Sequence, residues 1–304
     1  MEETLTALGF SEQLARSGAL IPTGAQGVFG RGENFSFATE SLSRAINRAF
    51  GRGAERMQFP PVSSRADLER IGYFRNFPHL LGTVHCFCGD ERTHRELTRA
   101  HDAGADWTAA QAASDLVLTP AACYPVYPAL AARGAVPADG WRVQVQSYCF
   151  RREPSAEPTR MQAFQMLEFV RAGTPDQARQ FRKGWVDRGQ AFFAALGLPA
   201  VVEPANDPFF GRAAGVMGQG QLTQELKFEL KVRINDDGPA TACMSFNLHL
   251  DHFGKALELR TADGEYAHTA CTGFGLERIA LALFRRHGID PARWPADVLD
   301  LLEG

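Results

Sequence analysis

Phe150-Arg151-Arg152-Glu153, then a loop rich in Pro and Ser, then Arg160-Met161-Gln162-Ala163-Phe164 is the stretch on which the reading of this chain turns. Trp141 to Phe150 alternates apolar and polar residues, as a strand with one buried face does, and Met161 to Val170 is a second apolar strand candidate. The two predict a long hairpin. An arginine can grip a phosphate through two parallel N–H bonds, a phenylalanine can stack on an adenine face, and a neighbouring carboxylate can accept from an amino group. Arg151, Glu153, Arg160 and Phe164 are therefore candidate nucleotide-binding residues. By spacing alone, a solvated charged turn with one core Phe is the simpler account.

Outward from the hairpin, residues 38 to 50 place Leu42, Ala45, Ile46 and Phe50 at helical spacing, and Met57 to Val62 reads as a short extended piece ended by proline. Helices are expected over Glu91 to Ala103 and after Pro120. Thr174-Pro175-Asp176-Gln177 offers a Thr cap, Pro at the first helical position and the Gln of a capping box, so a helix should run from there to about Leu196 and stop at Gly197. Later strands are expected at Glu225 to Ile234 and Thr241 to Leu250. Strands in succession with helices outside the run predict an α+β fold, an antiparallel sheet flanked by helices.

Gly273-Phe274-Gly275-Leu276-Glu277-Arg278 reads as the entry of the last clear helix, which continues through Ala280 to Phe284. Glycines let a backbone approach a ligand closely, and Arg278 one turn in can meet a phosphate. Alone the match is weak, but it follows the hairpin at a fitting distance. Phe-Arg-x-Glu, loop, Arg and Phe resembles motif 2 of class II aminoacyl-tRNA synthetases, and Gly-Phe-Gly-Leu-Glu-Arg before an apolar helix resembles their motif 3. Phe59 to Arg65, Phe77 to Gly82, Ala121-Ala122-Cys123-Tyr124-Pro125, Asn206 to Gly211 and Ser245 to Gly254 narrow the resemblance. They look like the amino acid:[carrier protein] ligases, homologues of the catalytic domain of atypical, methanogen-type seryl-tRNA synthetases. The resemblance covers nearly the whole chain and implies a class II synthetase-like sheet.

In that family a zinc ion is held by Cys, Glu and Cys; the matching positions are Cys123, Glu168 and Cys271. Each cysteine alone would be read as a buried structural residue. Two thiolates and a carboxylate leave tetrahedral Zn2+ one open position, which a substrate amine can fill. Cys86-Phe87-Cys88 is tighter than the usual metal-binding spacing, and a strand carrying both cysteines is the better reading. One departure concerns Mg2+. The strand before motif 3 normally supplies an acid, and Ala240 to Asn247 has none, so Asn247, Glu229, Asp251 or the phosphates themselves remain as its holders.

The resemblance further implies that residues 1–304 form one catalytic domain without a separate tRNA-binding domain, that it pairs as a homodimer through a motif 1-like segment from about residue 38 to 65, and that ATP is its nucleotide. Arg151 and Arg278 would be the catalytic pair, on the α- and γ-phosphates. The product would be an aminoacyl-adenylate of a small amino acid, glycine or alanine, passed to the phosphopantetheine arm of a small carrier protein. A serine-charging tRNA synthetase is the alternative; a catalytically inactive paralogue acting as a binding module is disfavoured by the intact arginines and ligand trio.

Composition bounds these readings. The chain has 304 residues, 45% hydrophobic and 22% charged, enough for a sizeable core. Its net charge of −3, from 32 basic and 35 acidic residues, lacks the excess of a bulk nucleic-acid binder, and no tRNA partner is expected. The acidic start Met1-Glu2-Glu3-Thr4-Leu5 has no signal-peptide pattern and no run is long enough to span a membrane, so a cytoplasmic enzyme is expected. Six cysteines are too sparse for a disulfide scaffold, and reduced thiols or metal ligation are the default. The chain is also expected to lack an RNA-gripping N-terminal arm.

Overall fold

The hairpin forms the spine of a seven-stranded sheet. The structure, a computed structural model, describes residues 9–304, and the Met1 to Leu5 segment lies outside the described residues. In chain order, α1 (Phe10–Arg16) leads to a ribbon of β1 (Leu20–Pro22) and β2 (Phe29–Arg31), then to α2 (Glu33–Phe50) and β3 (Glu55–Met57). A separate three-stranded sheet follows, built from β4 (Val62–Ser64), β5 (Thr83–Phe87) and β6 (Gln111–Leu118) in the order β4-β6-β5. Between its strands lie α3 (Arg65–Arg70), α4 (Tyr73–Asn76) and α5 (Glu91–Asp102). After α6 (Val126–Ala131) come the hairpin strands β7 (Trp141–Phe150) and β8 (Ala163–Gly173), then α7 (Pro175–Ala195) and β9 (Ala200–Pro204). The remainder is α8 (Ala214–Thr223), β10 (Lys227–Val232), β11 (Thr241–Leu250), α9 (His252–Leu257), β12 (His268–Gly275), α10 (Leu276–His287) and α11 (Ala296–Glu303).

The main sheet runs β3-β7-β8-β12-β11-β10-β9. Every neighbouring pair is antiparallel except β3 with β7, which is parallel. This is the expected antiparallel sheet with flanking helices. Because side chains alternate along a strand, β8 feeds two cores at once. Leu167 and Phe169 point to the face covered by α2, α7 and α10, where they meet Ile46, Trp185, Phe274 and Leu281. Val170 and Ala172 point to the opposite face with Val143, Val145, Tyr127 and Phe253. Burying each such side chain contributes roughly 1.5–3 kcal/mol before entropy is charged. Glu168 and Cys271 lie on this second face, which is why both are removed from water.

The Thr174 capping box is present, with Thr174 Oγ1 accepting from Gln177 N and Gln177 Oε1 accepting from Thr174 N. The helix it starts ends just before Gly197, whose φ of 68° only glycine adopts without strain. Several expectations move. The extended piece expected over Met57 to Val62 is no strand: one strand ends at Met57 and the next begins at Val62. The first long helix begins at Glu33, not residue 38, because Phe35 and Ala38 continue its buried face. The helix after Pro120 waits until Val126. Gly273, Phe274 and Gly275 are not a helix entry: they close β12, a strand whose small residues gave no alternating signal, and the helix starts at Leu276. Of the Cys86 and Cys88 pair, Cys86 lies on β5 and Cys88 just past it, both exposed.

Candidate active site

One face of the main sheet is the floor of a cleft of about 530 Å³. Period-two alternation puts Phe164, Met166 and Glu168 of β8 on that floor, beside Cys271, Gly273 and Gly275 of β12 and Ser245 and Asn247 of β11. Register then sets rows across it: Glu168 opposes Gly273, Gly273 opposes Ser245, and Ser245 opposes Glu229. At Gly273 a Cβ would lie 2.9 Å from Met166 Cε, so glycine keeps the middle of the floor low. The roof is the segment from Asp207 through α8, with Met217, Gly220 and Gln221 facing in.

One end of the cleft is cationic. Arg151 leaves β7, donates from Nε to Pro120 O at 2.9 Å, and lies 5.4 Å from the Phe164 ring centroid. Arg278 donates from Nε to Thr159 O at 2.9 Å and from NH1 to Ala242 O at 3.0 Å. Among the described residues neither guanidinium is salt-bridged to a carboxylate. Carbonyl oxygens orient both without cancelling their charge, which leaves two fixed cations for an anionic ligand. Burial pushes the Arg278 pKa down from its ordinary value. Glu153 also lines the cleft. Arg160 does not: it is 59% exposed and reaches Glu153 at 3.9 Å and Glu157 at 4.0 Å. The hairpin thus brings Arg151, Glu153 and Phe164 together with Arg278, and leaves Arg160 at the rim.

The other end is anionic. Cys123, Glu168 and Cys271 are all buried, and one ligand atom from each lies within 4.8 Å of the others. Cys123 N donates to Glu168 Oε1 at 3.2 Å. Burial, then the neighbouring Cys271, raises the Glu168 carboxyl to about 8. Of the two thiols, Cys271 is the one held low, first by its hydrogen bond with Cys123 and also by His249 and Asn247, while Cys123 is pushed up. Three buried acidic groups with no cation among them are costly unless a metal neutralises them. Two sulfurs and a carboxylate oxygen form the donor set of a three-ligand Zn2+ site, so the residues fit that ion.

Two lining residues, Lys227 and Gln221, were not singled out in the sequence. Lys227 lies half-buried between Asp207 at 2.7 Å and Glu229 at 3.1 Å, and Gln221 clamps Asp207 through its main-chain N (2.7 Å) and its Oδ2 (2.9 Å). Alternating charge along Lys227, Glu229 and Lys231 was the available clue. Of the three Mg2+ candidates, Glu229 faces the cleft but is shared by Lys227 and Lys231. Asn247 turns its Nδ2 to Cys271 Sγ at 3.4 Å, and Asp251 pairs with Lys255 at 2.8 Å outside the cleft lining.

No family model matches the chain. Against curated proteins it is 47% identical over 282 residues to amino acid–[acyl-carrier-protein] ligase 1 of Bradyrhizobium diazoefficiens, covering 92% of this chain and 86% of that protein. The chain belongs to the amino acid–[acyl-carrier-protein] ligase family. Ligase 2 of the same organism is 48% identical over 92% of this chain and 84% of its own length. A type-2 serine–tRNA ligase of Methanopyrus kandleri is 26% identical over 62% of this chain and 38% of its own. Among solved structures, M. kandleri SerRS in complex with A. aeolicus tRNASec superposes with a TM-score of 0.82 at 20% identity, covering 97% of this ligase and 60% of that chain. Seryl-tRNA synthetase from Pyrococcus horikoshii, complexed with ATP, gives 0.66 at 16% identity over 92% and 58%. The ligase therefore has the class II aminoacyl-tRNA synthetase fold. No helix among the described residues is long and apolar enough to cross a membrane.

Proposed function

We propose that this ligase activates a small amino acid, glycine or alanine, as its adenylate and transfers it to the phosphopantetheine thiol of a carrier protein. The observation that carries the reading is one cleft with two uncompensated arginines at one end and a Cys-Glu-Cys trio at the other. ATP is anionic where the cleft is cationic. Arg151 would meet the α-phosphate and Arg278 the γ-phosphate, with Phe164 stacked on the adenine and Glu153 accepting from its amino group. Arg160 would act from the rim. In the first step an amino-acid carboxylate oxygen bonds to the α-phosphorus, and the bond to the bridging oxygen breaks, releasing pyrophosphate with the electron pair. Oriented positive charge on the oxygens where charge develops is the main catalytic contribution of such a site.

Cys123, Glu168 and Cys271 would hold zinc, which supplies a Lewis-acid position for the neutral amine of the amino acid. In the second step the carrier thiolate attacks the adenylate's carbonyl carbon. A C–S bond forms, the C–O bond to AMP breaks, and AMP leaves. Mg2+ would accompany the phosphates, and of its two carboxylate candidates Glu229, unlike Asp251, lines the cleft.

Residues 1–304 are read as one catalytic domain. The 38 to 65 segment, in α2, β3 and β4, is read as the contact of a two-fold homodimer; a monomer mass in light scattering would count against it. To test the acceptor, enzyme, ATP and labelled glycine or alanine are incubated with a holo carrier protein or with tRNA. Label should appear on the carrier as a thioester cleaved by neutral hydroxylamine, and not on a carrier lacking its arm. Efficient tRNA charging without carrier transfer would reverse the reading.

A further inference from the structure

Asn247 of β11 stands directly across from Cys271 of β12. Two residues on, the ladder slips: Leu248 pairs with Ala270 and Leu250 with Thr269, so His249 is an extra residue with no opposite partner. Bulges of this kind re-aim a side chain and recur beside active sites. Leu250, immediately after, has φ 53°, a conformation that side-chain-bearing residues rarely adopt and that costs backbone strain. The bulge and the strain together aim His249 at the ligand trio. Its Nε2 lies 3.6 Å from Cys271 Sγ, and its Nδ1 lies 3.0 Å from Thr269 Oγ1, on the strand opposite. Asn247 Nδ2 approaches the same sulfur at 3.4 Å. Tyr127 and Phe253 hold the imidazole edge-on, with centroids 5.8 and 5.0 Å away.

We propose that His249 is a positioning residue of the metal site: its Nε2–H donates to the Cys271 thiolate, and the Thr269 hydroxyl donates to Nδ1 and fixes that tautomer. This rests on the zinc reading above. A metal-bound thiolate has no proton to give, so a nitrogen in contact with it must be the donor. Nδ1 must then be the acceptor, and a hydroxyl is the partner that can supply it. Asn247 is the second donor to the same sulfur. Such partners orient a ligand and tune its basicity. Among the described residues the mutually close ligand group is Cys123, Glu168 and Cys271, without His249. An imidazole bonded to the sulfur stays off the metal and leaves three protein ligands, keeping the fourth position free for a substrate amine. As a fourth ligand it would close the site into the structural type.

The test measures zinc affinity of the full chain by competition with a chromophoric chelator. Variants are His249→Ala, His249→Asn, His249→Gln and Thr269→Val. His249→Ala and His249→Asn should weaken zinc binding by about 10- to 100-fold, with unchanged melting of the metal-free protein. His249→Gln should recover most of the loss, because its amide nitrogen reaches the place of Nε2. Thr269→Val, a buried isosteric change, should weaken binding by a smaller factor. In the cobalt-loaded protein, the thiolate charge-transfer band should shift in His249→Ala while the tetrahedral pattern persists. Parent-like affinity in His249→Ala overturns the proposal. So does an imidazole nitrogen at the metal in X-ray absorption of the zinc-loaded parent, with His249→Gln as defective as His249→Ala. If His249→Ala does not fold, parent-like affinity in both His249→Asn and Thr269→Val overturns it. A parent that binds no zinc removes the metal reading itself; a parent that binds zinc beside an indifferent His249→Ala removes only this inference.

Discussion

The two ends of the cleft differ in how they are assembled and in the sign of charge they leave open. The arginine end comes from short contiguous motifs, with Arg151 and Phe164 across one hairpin and Arg278 at the first turn of α10. Its guanidiniums are held by main-chain carbonyls and stay unneutralised. The Cys-Glu-Cys end is gathered from three segments, with Glu168 45 positions after Cys123 and three strands, β9 to β11, between Glu168 and Cys271 along the chain. Its groups are buried acids. One end awaits an anion and the other a cation. A substrate that joins a phosphate to an amine through a carboxylate would span both, as an aminoacyl-adenylate does.

The harshest way to break the comparison is to remove a ligand. Cys123→Ser should abolish metal binding, from about one zinc per chain to none, and abolish amino-acid-dependent pyrophosphate exchange. Cys149→Ser should keep its zinc, because Cys149 is buried in the same apolar cluster but outside the trio. Metal analysis of both proteins decides it; full zinc in Cys123→Ser removes the site. Next in size come the arginines. Arg151→Ala and Arg278→Ala should each slow pyrophosphate exchange by two or more decades, since an oriented charge on a developing oxyanion is worth roughly 3 kcal/mol. Both should retain zinc, and near-normal exchange in both would end the assignment of this end to ATP. Phe164→Ala should chiefly raise the ATP concentration required, through loss of a stacking face worth about 1–3 kcal/mol.

The same contrast explains what could be read without coordinates. Local patterns record local structure: the β7–β8 hairpin, the Thr174 cap and β11 all stand where alternation and capping put them. β12 escaped because a strand covered on both faces by neighbours carries Thr, Ala, Cys and Gly with no period. α8, with three glycines in Ala214–Thr223, has a composition that argues against a helix, and it buries only Gly218. The ligand trio is visible only through family resemblance, because nothing in spacing says that β8 and β12 are neighbours. The bulge at His249 depends on register, which no single strand encodes.

Proton linkage sharpens the anionic end. Without a metal, burial pushes the Glu168 carboxyl up to about 8, and Cys123 is pushed up as well. A metal ligand must be deprotonated, so zinc uptake releases these protons and tightens as pH rises. Each proton released changes the affinity about tenfold per pH unit below the group's pKa. Zinc affinity should therefore rise at least about tenfold between pH 6 and 7. Calorimetry in two buffers of different ionisation enthalpy should count at least one proton per zinc at pH 7. A pH-independent affinity over that range would mean that neither Glu168 nor Cys123 carries a proton in the metal-free site.

The smallest effect is expected at Arg160, and it bears on where the cationic end stops. The sequence places Arg160 beside Phe164 as a fellow nucleotide contact, yet its side chain is 59% exposed and its ion pairs are long, 3.9 Å to Glu153 and 4.0 Å to Glu157. Exposed pairs of that kind contribute roughly 0–1 kcal/mol, because water screens them and two long side chains must be ordered. If Arg160 acts only from the rim, Arg160→Ala should change pyrophosphate exchange by less than about fivefold, the size of that term. The change should fade in high salt, where exposed charges are screened. Arg151 and Arg278, held in place by carbonyls inside the cleft, should lose their decades at either salt concentration. A loss in Arg160→Ala as large as in Arg151→Ala, persisting in high salt, would show that the loop carries Arg160 into the cleft when ATP binds.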